Sequence, residues 1–191
     1  MVRAYNSTSI VPVNMTRAKM AITPEDLTPE AFARFGNVID VPSAKENKLI
    51  NEGNTVRYHD LASLSLTQAA GTPLISIFRS TPLPLPITLK SMESHPLSSQ
   101  AFYPLSQNPY LVVVAPAGEF QEAQIRVFMA RSDQGVNYHP GTWHHYSLAL
   151  NSVSDFLVID RGGPGENCDE VDLHQPLVIN LDQTAMSEKQ P

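Results

Sequence analysis

Histidines supply the clearest candidate chemistry in this sequence. His139, His144 and His145 fall within one seven-residue stretch around a Pro-Gly turn, and His95 lies upstream. Neutral imidazole binds first-row metals and titrates near neutral pH, so this cluster predicts a metal site or an acid–base site. Aromatic packing and hydrogen bonding inside a core are the alternative. Because neighbouring side chains of a strand point to opposite faces, at most one of His144 and His145 can face a cavity.

The spacing of polar residues around these histidines resembles the two motifs of cupins. The first motif here is Glu93-Ser94-His95 with Gln100 at the position of the acid, and the second is Pro140-Gly141-Thr142-Trp143-His144. Glutamate replaces the usual first histidine and glutamine replaces the acid, so this set would bind a divalent metal less tightly than the usual one. The motifs predict four metal ligands: Glu93, His95, Gln100 and His144.

Two arginines are candidates for binding an anionic substrate. Arg57 lies just before Tyr58-His59-Asp60, and Arg79 follows an apolar run. A guanidinium binds a carboxylate through two parallel hydrogen bonds, which suits a small oxo- or hydroxy-acid. A surface salt bridge is the alternative for each arginine. Asp160 and Arg161 precede two glycines, where we expect a structural ion pair in a tight turn or, alternatively, a close approach of backbone to ligand.

The elements that must position these residues are mostly strands. Short apolar runs alternate with turn residues at a spacing of roughly 8–12 residues, which favours a sandwich or barrel. The 16 prolines fit such a loop-rich protein. Thr28-Pro29 is typical of a helix start and Gly36 of a helix end. We therefore predict an all-β, cupin-type jelly-roll barrel with a short N-terminal helix. The predicted strands are 38–41, 74–78, 101–105, 110–115, 125–130, 156–160 and 177–179.

Composition narrows the class of partner and the compartment. The chain has 191 residues, a formal net charge of −6 and a single cysteine, Cys168. It has no basic cluster of the kind that binds phosphates or lipid headgroups, so we expect no nucleic-acid and no membrane partner. One cysteine cannot form an intramolecular disulfide, which fits the cytoplasm. We expect a flexible extension over 1–21 (alternatively a transit peptide), one domain over 22–183 and a polar tail over 184–191.

Four blocks of the sequence are distinctive in combination. They are Arg57-Tyr58-His59-Asp60-Leu61; His95-Pro96-Leu97 with Gln100-Ala101-Phe102; 135–139 with Trp143-His144-His145; and 155–157 with 159–163 and Asn167-Cys168-Asp169. Together they resemble the ureidoglycolate lyase family, from about residue 22 to residue 177. The resemblance implies a cupin-like barrel, a homodimer, a role in allantoin degradation and a divalent metal, often nickel. It also implies function at Arg57, His95, Tyr138, His139, His144 and Asp160.

The same resemblance implies cleavage of (S)-ureidoglycolate, a small molecule, to glyoxylate and urea. One substrate carbon carries carboxylate, hydroxyl and urea nitrogen, so cleavage needs a base at the hydroxyl and a proton donor at the departing nitrogen. We expect His144 or His139 as the base, assisted by Tyr138 or Asp160, with Arg57 on the carboxylate. The alternatives are a hydrolase that releases ammonia and a non-catalytic cupin that binds a small acid.

Overall fold

A computed structural model describes residues 21–181 of the chain, and strands make up most of its regular structure. The predicted extension, except for Ala21, and the predicted tail lie outside the described residues. Within 21–181, no helix is long and apolar enough to cross a membrane. The elements are β1 Ala21–Ile22, β2 Glu25–Asp26, α1 Pro29–Phe32, β3 Gly36–Ile39, β4 Glu46–Ile50, β5 Thr55–His59, β6 Thr72–Ser80, β7 Ile87–Ser94, β8 Gln100–Pro104, β9 Tyr110–Ala115, β10 Arg126–Ala130, β11 Gly135–Tyr138, β12 Trp143–His144, β13 Leu148–Ala149, β14 Ser154–Gly162 and β15 Asp169–Ile179.

The strands form two facing sheets and a separate hairpin. The larger sheet has the order β1-β15-β7-β12-β9-β10-β2, with β13 also paired to β9. The smaller sheet has the order β3-β11-β8-β14-β6, and β4 pairs with β5 in the hairpin. Only the pairs β1–β15 and β10–β2 are parallel among the described strands. This is the all-β, cupin-like architecture that the sequence predicts.

Side chains from both sheets meet in an aromatic core. Tyr110 of the larger sheet and Phe156 of the smaller one lie 5.1 Å apart between ring centroids, and both are buried. The next residues of β9, Leu111 and Val113, project from the opposite face of the larger sheet into a second apolar cluster. Strand β9 is therefore buried on both faces, which explains why its sequence is a continuous apolar run rather than an alternating one.

The short helix α1 closes part of this core. The Thr28 side chain accepts a hydrogen bond from the first turn, as expected of an N-cap. Phe32 is fully buried against Phe128, with ring centroids 5.7 Å apart. The helix ends at Phe32, before the predicted end at Gly36, because Gly36 already begins β3. A Cβ at Gly36 would lie 1.9 Å from the carbonyl oxygen of Asn137, so only glycine fits this close pairing of strands.

Each of the seven predicted strands overlaps an observed one, but the sequence pattern does not predict all of the others. Strand β15 begins at Asp169, well before the predicted segment 177–179, and exposed and half-buried side chains alternate in the added part. Strand β7 is absent from the predictions because 87–94 mixes apolar residues with Lys90, Ser91 and Glu93. Its register with β15 also shifts between Asp172 and Leu177, which interrupts the alternation.

Candidate functional site

Three polar side chains converge where β7 and β12 run side by side. The strand register places His144 of β12 opposite Glu93 of β7, and His95 directly follows β7. The ring centroids of His95 and His144 are 5.1 Å apart, and Glu93 Oε1 lies 3.6 Å from His144 Nδ1. The pairing of these two strands therefore brings together two distant segments of the chain.

His95 is held by the loop that precedes β15. Its Nδ1 lies 2.6 Å from the main-chain oxygen of Asn167, so Nδ1 carries the ring proton and donates to that oxygen. The Asn167 side chain accepts a hydrogen bond from the Leu97 N–H at 2.8 Å and donates one to Ser98 Oγ at 2.9 Å. These contacts orient the ring and leave His95 Nε2 as a buried lone pair with no partner among residues 21–181.

His144 is almost completely buried against Tyr138. The two rings are stacked, with centroids 4.4 Å apart and planes 8° from parallel. Burial, reinforced by the neighbouring His95, lowers the pKa of His144 to about 3. The imidazole is therefore neutral at physiological pH and is a weak base. Burial, together with the nearby Glu93, raises the pKa of Tyr138, so its hydroxyl keeps its proton.

A cavity of about 280 Å³ opens beside His95, which lines it together with Gln100 and Asp160. His144 and Glu93 line a smaller neighbouring cavity of about 140 Å³. In the described part of the chain, six buried polar side-chain atoms lack a hydrogen-bond partner, and four of them are His95 Nε2, Gln100 Oε1, His144 Nε2 and Asp160 Oδ1. Since buried polar atoms are normally paired, this concentration of unpaired acceptors indicates a place for a ligand or a cation.

The same residues fit a divalent metal. One ligand atom from each of Glu93, His95 and His144 lies within 4.8 Å of the others. Two neutral imidazoles and a carboxylate suit first-row divalent metals. The hydrogen bond from His95 Nδ1 to a carbonyl is the outer contact that metal-bound imidazoles usually make. Burial raises the pKa of Glu93, an effect that a bound cation would counter.

Three of the predicted site residues lie away from these cavities. His139 is exposed and lines a separate cavity with Asp60, because strand alternation turns it away from the side that Tyr138 faces. Arg79 is exposed and donates two hydrogen bonds of 2.8 Å to Asp155, which is the surface salt bridge of the alternative interpretation. Arg57 is exposed on the β4–β5 hairpin. The fold of a single chain therefore does not bring His139, Arg79 or Arg57 to His95.

Comparison with known proteins identifies the family to which the chain belongs. A family model described as ureidoglycolate lyase matches residues 19–180. The chain belongs to the ureidoglycolate lyase family. A ureidoglycolate lyase of Burkholderia mallei is 49% identical over 158 residues, which cover 83% of this chain and 92% of that protein. One of Burkholderia cepacia is 51% identical over 150 residues (78% and 84%), and one of Pseudomonas syringae pv. syringae is 47% identical over 159 residues (83% and 93%).

The match to the ureidoglycolate lyase family includes every residue around the two cavities, and it also includes Arg161. The Arg161 guanidinium donates hydrogen bonds to the main-chain oxygens of Gln68, Ala69 and Pro164 at 3.0, 3.0 and 2.6 Å. It bonds to these turns rather than forming the expected ion pair with Asp160, because successive residues of β14 point to opposite faces. Arg161 therefore holds the rim of the cavity in place, while Asp160 faces the interior.

Asn167 is the residue beside these cavities whose role the sequence does not predict. It bonds to His95 across 72 positions, and the acceptor is its main-chain oxygen, which no side-chain pattern reveals. Its place in one of the resembling blocks is the only signal. The adjacent Cys168 is an exposed free thiol, and partial burial with the nearby Glu93 and Glu170 raises its pKa, which disfavours a nucleophilic thiolate.

Proposed function

We propose that the chain is a carbon–nitrogen lyase that cleaves (S)-ureidoglycolate to glyoxylate and urea. The observation that carries this proposal is the set of unpaired acceptors on His95, Gln100 and Asp160 around one cavity, in a member of this family. The substrate has a hydroxyl and several ureido N–H groups, all of them donors that such acceptors would bind. Elimination of urea needs proton transfer and positioning only.

In this proposal Asp160 moves the proton. Its Oδ1 is a buried acceptor on the cavity side of β14, so it takes the hydroxyl proton as the C–N bond breaks and returns it to the departing urea nitrogen. His144 is a poor choice for the base because its lowered pKa makes it a weak proton acceptor. His139 faces away from the cavity. Tyr138 orients His144 through ring stacking.

A divalent metal, for which the resemblance suggests nickel, would be held by Glu93, His95 and His144. When bound, it would supply a Lewis acid at the substrate carboxylate and hydroxyl and lower the pKa of the hydroxyl. The contact between His95 Nδ1 and the Asn167 oxygen keeps His95 Nε2 free of a proton for this purpose.

The reaction is tested with the purified full-length chain and ureidoglycolate, with and without added Ni²⁺. We expect urea and glyoxylate to appear in equal amounts. Release of ammonia in place of urea would identify the hydrolase alternative. Binding of ureidoglycolate without turnover would identify the non-catalytic one. Either result would overturn the proposal.

The roles are tested by substitution. Asp160→Asn is expected to lower turnover by about 10²–10⁴-fold and to leave the metal content unchanged. His95→Ala and His144→Ala are expected to lose bound metal, measured by elemental analysis. Asp155→Asn is the matched control, because Asp155 lies on the same strand and pairs with Arg79 on the outer surface. Full turnover in Asp160→Asn would show that Asp160 does not transfer the proton.

We further propose a cytoplasmic homodimer. Ile75 and Ile77 of β6 are 74% and 55% exposed, and neighbouring apolar side chains of this kind often mark a protein–protein contact. The single exposed cysteine suits a reducing compartment. Light scattering on the purified chain tests the dimer, and cell fractionation tests the compartment.

A further inference from the structure

The two cavities carry more negative than positive charge. Their lining includes the carboxylates of Glu93, Asp160, Glu166 and Glu170. Arg161 is the one guanidinium in that lining, and its Nε and Nη2 already donate to three main-chain oxygens. Both ureidoglycolate and glyoxylate carry a carboxylate, so a basic side chain from elsewhere would favour their binding.

Arg57 is a basic side chain without an observed partner. It is exposed at the middle of β5, and no hydrogen bond or ion pair joins its guanidinium to another residue within 21–181. Its cross-strand neighbour Lys48 differs, because Lys48 pairs with Glu46 at 3.2 Å. Arg57 is therefore available to a group outside its own subunit.

The hairpin that carries Arg57 has one apolar face. Leu49, Val56 and Tyr58 share this face and are 68%, 49% and 39% exposed, whereas Lys48 and Arg57 project from the other face. The hairpin pairs with no further strand among the described elements. A two-stranded hairpin alone is marginally stable in water, so this apolar face would be stabilised by a contact.

Strand β6 offers a matching surface beside the cavity. It is the last strand of the smaller sheet, and β14 is its one neighbour there. Ile75 and Ile77 project from its outer face and are strongly exposed. On its inner face, Leu74 lies opposite Asp160 in the register of β6 with β14. Strand β6 therefore lies next to the strand that carries Asp160, and its other edge is unpaired among the described strands.

We infer that the β4–β5 hairpin of a second copy pairs along the edge of β6 and brings its Arg57 to the substrate carboxylate. If Val56 extends the apolar row of Ile75 and Ile77, alternation places Arg57 on the same side as Asp160. The unpaired guanidinium of Arg57 then meets the carboxylates that line the cavity. Under two-fold symmetry each copy gives one hairpin and receives one. This inference rests on the proposed function, because it supplies the group that binds the carboxylate.

Mixing of subunits distinguishes an Arg57 that acts at the cavity of the partner subunit from one that acts at the cavity of its own subunit. Chains with His144→Ala and chains with Arg57→Gln carry different tags, are co-expressed, and are purified as heterodimers. Each substitution alone is expected to remove most of the turnover from a homodimer. If Arg57 acts across the interface, one site of each heterodimer is free of both substitutions, and turnover returns to about half the wild-type value per dimer. Turnover that stays at the level of the mutant homodimers would overturn the inference.

Binding of glyoxylate provides a test that does not depend on the reaction. Calorimetric titration is expected to show about tenfold weaker binding to Arg57→Gln than to the wild type. Arg34→Gln, a substitution of another exposed arginine, is expected to bind as the wild type does. A wild type that binds glyoxylate but does not cleave ureidoglycolate would reject the proposed function alone. Equal affinity of the wild type and Arg57→Gln, or none in either, would reject the inference.

The contact itself is tested on the apolar face of the hairpin. Val56→Asp is expected to give a monomer by light scattering and to lose turnover, because a charge would be buried against Ile75 and Ile77. Val153→Asp is the matched control, since Val153 is also 49% exposed and lies in a loop. A Val56→Asp chain that remains dimeric, or a monomer with wild-type kcat/KM, contradicts the inference.

Discussion

Replacing His144 with glutamine is expected to make the folded chain less sensitive to acid. Burial lowers the pKa of His144 to about 3 in the folded chain, against 6.5 for an ordinary histidine. Well above pH 6.5 neither the folded nor the unfolded state holds a proton on this ring. Below that pH the unfolded chain takes up a proton that the folded chain does not, so the free energy of unfolding falls as the pH falls.

The magnitude follows from this difference in pKa. One pH unit corresponds to about 1.4 kcal/mol well below the unfolded pKa, so the wild type loses about 2 kcal/mol through His144 between pH 7 and pH 5. The His144→Gln chain has no such group and keeps this part of its stability. Carboxylates that do not contact His144 titrate in the same way in both chains, so their effect cancels from the difference between the two.

The only tryptophan provides the assay. Trp143 lies beside His144, packs on Phe120 with ring centroids 5.2 Å apart, and donates from Nε1 to the Gly118 oxygen. Its fluorescence should follow urea unfolding at pH 7 and pH 5, with a chelator in every sample to remove metal. An equal loss of unfolding free energy in the wild type and His144→Gln would refute the reasoning, since His144 would then take up its proton in the folded state too.

Three further substitutions test the fold and the support of the site. Phe32→Ala should lower the free energy of unfolding by about 3–5 kcal/mol, measured in urea, because it leaves a cavity in the aromatic core. Gly36→Ala should cost about 1–3 kcal/mol in the same assay, because its Cβ would meet the Asn137 oxygen; an unchanged midpoint would contradict this close approach. Asn167→Ala should weaken metal binding about tenfold in a metal titration by freeing the loop that holds His95, and wild-type affinity would show that the loop holds without this side chain.

Local features of the sequence predict much of this fold. A strand buried on both faces, such as β9, has a continuous apolar sequence that stands out from its flanking turns. The N-cap at Thr28 is equally local, because the side chain bonds within one turn of its own position. The spacing of the two cupin-like motifs predicts that His95 and His144 lie together. The placement of the two histidines depends on the register of β7 with β12, which the hydrophobic pattern alone does not show.

Other parts of the site depend on contacts that sequence cannot locate. Arg79 has a partner, Asp155, that lies 76 positions away, so its surface ion pair could not be separated from a substrate clamp. The sequence does not exclude His139 as the base, because a one-residue shift in the pairing register decides which face it occupies. The low pKa of His144 arises from packing on all sides, and composition gives no measure of that packing.

The main-chain oxygen of Asn167 has a consequence for how this protein tolerates mutation. It fixes the tautomer of His95, yet no side-chain replacement at position 167 deletes a carbonyl group. What could remove the bond is a change in the path or length of the segment between Gly163 and Cys168. Among natural variants, this requirement would therefore appear as a scarcity of insertions and deletions in the segment, beside a preference for asparagine at position 167, whose side chain anchors the same loop.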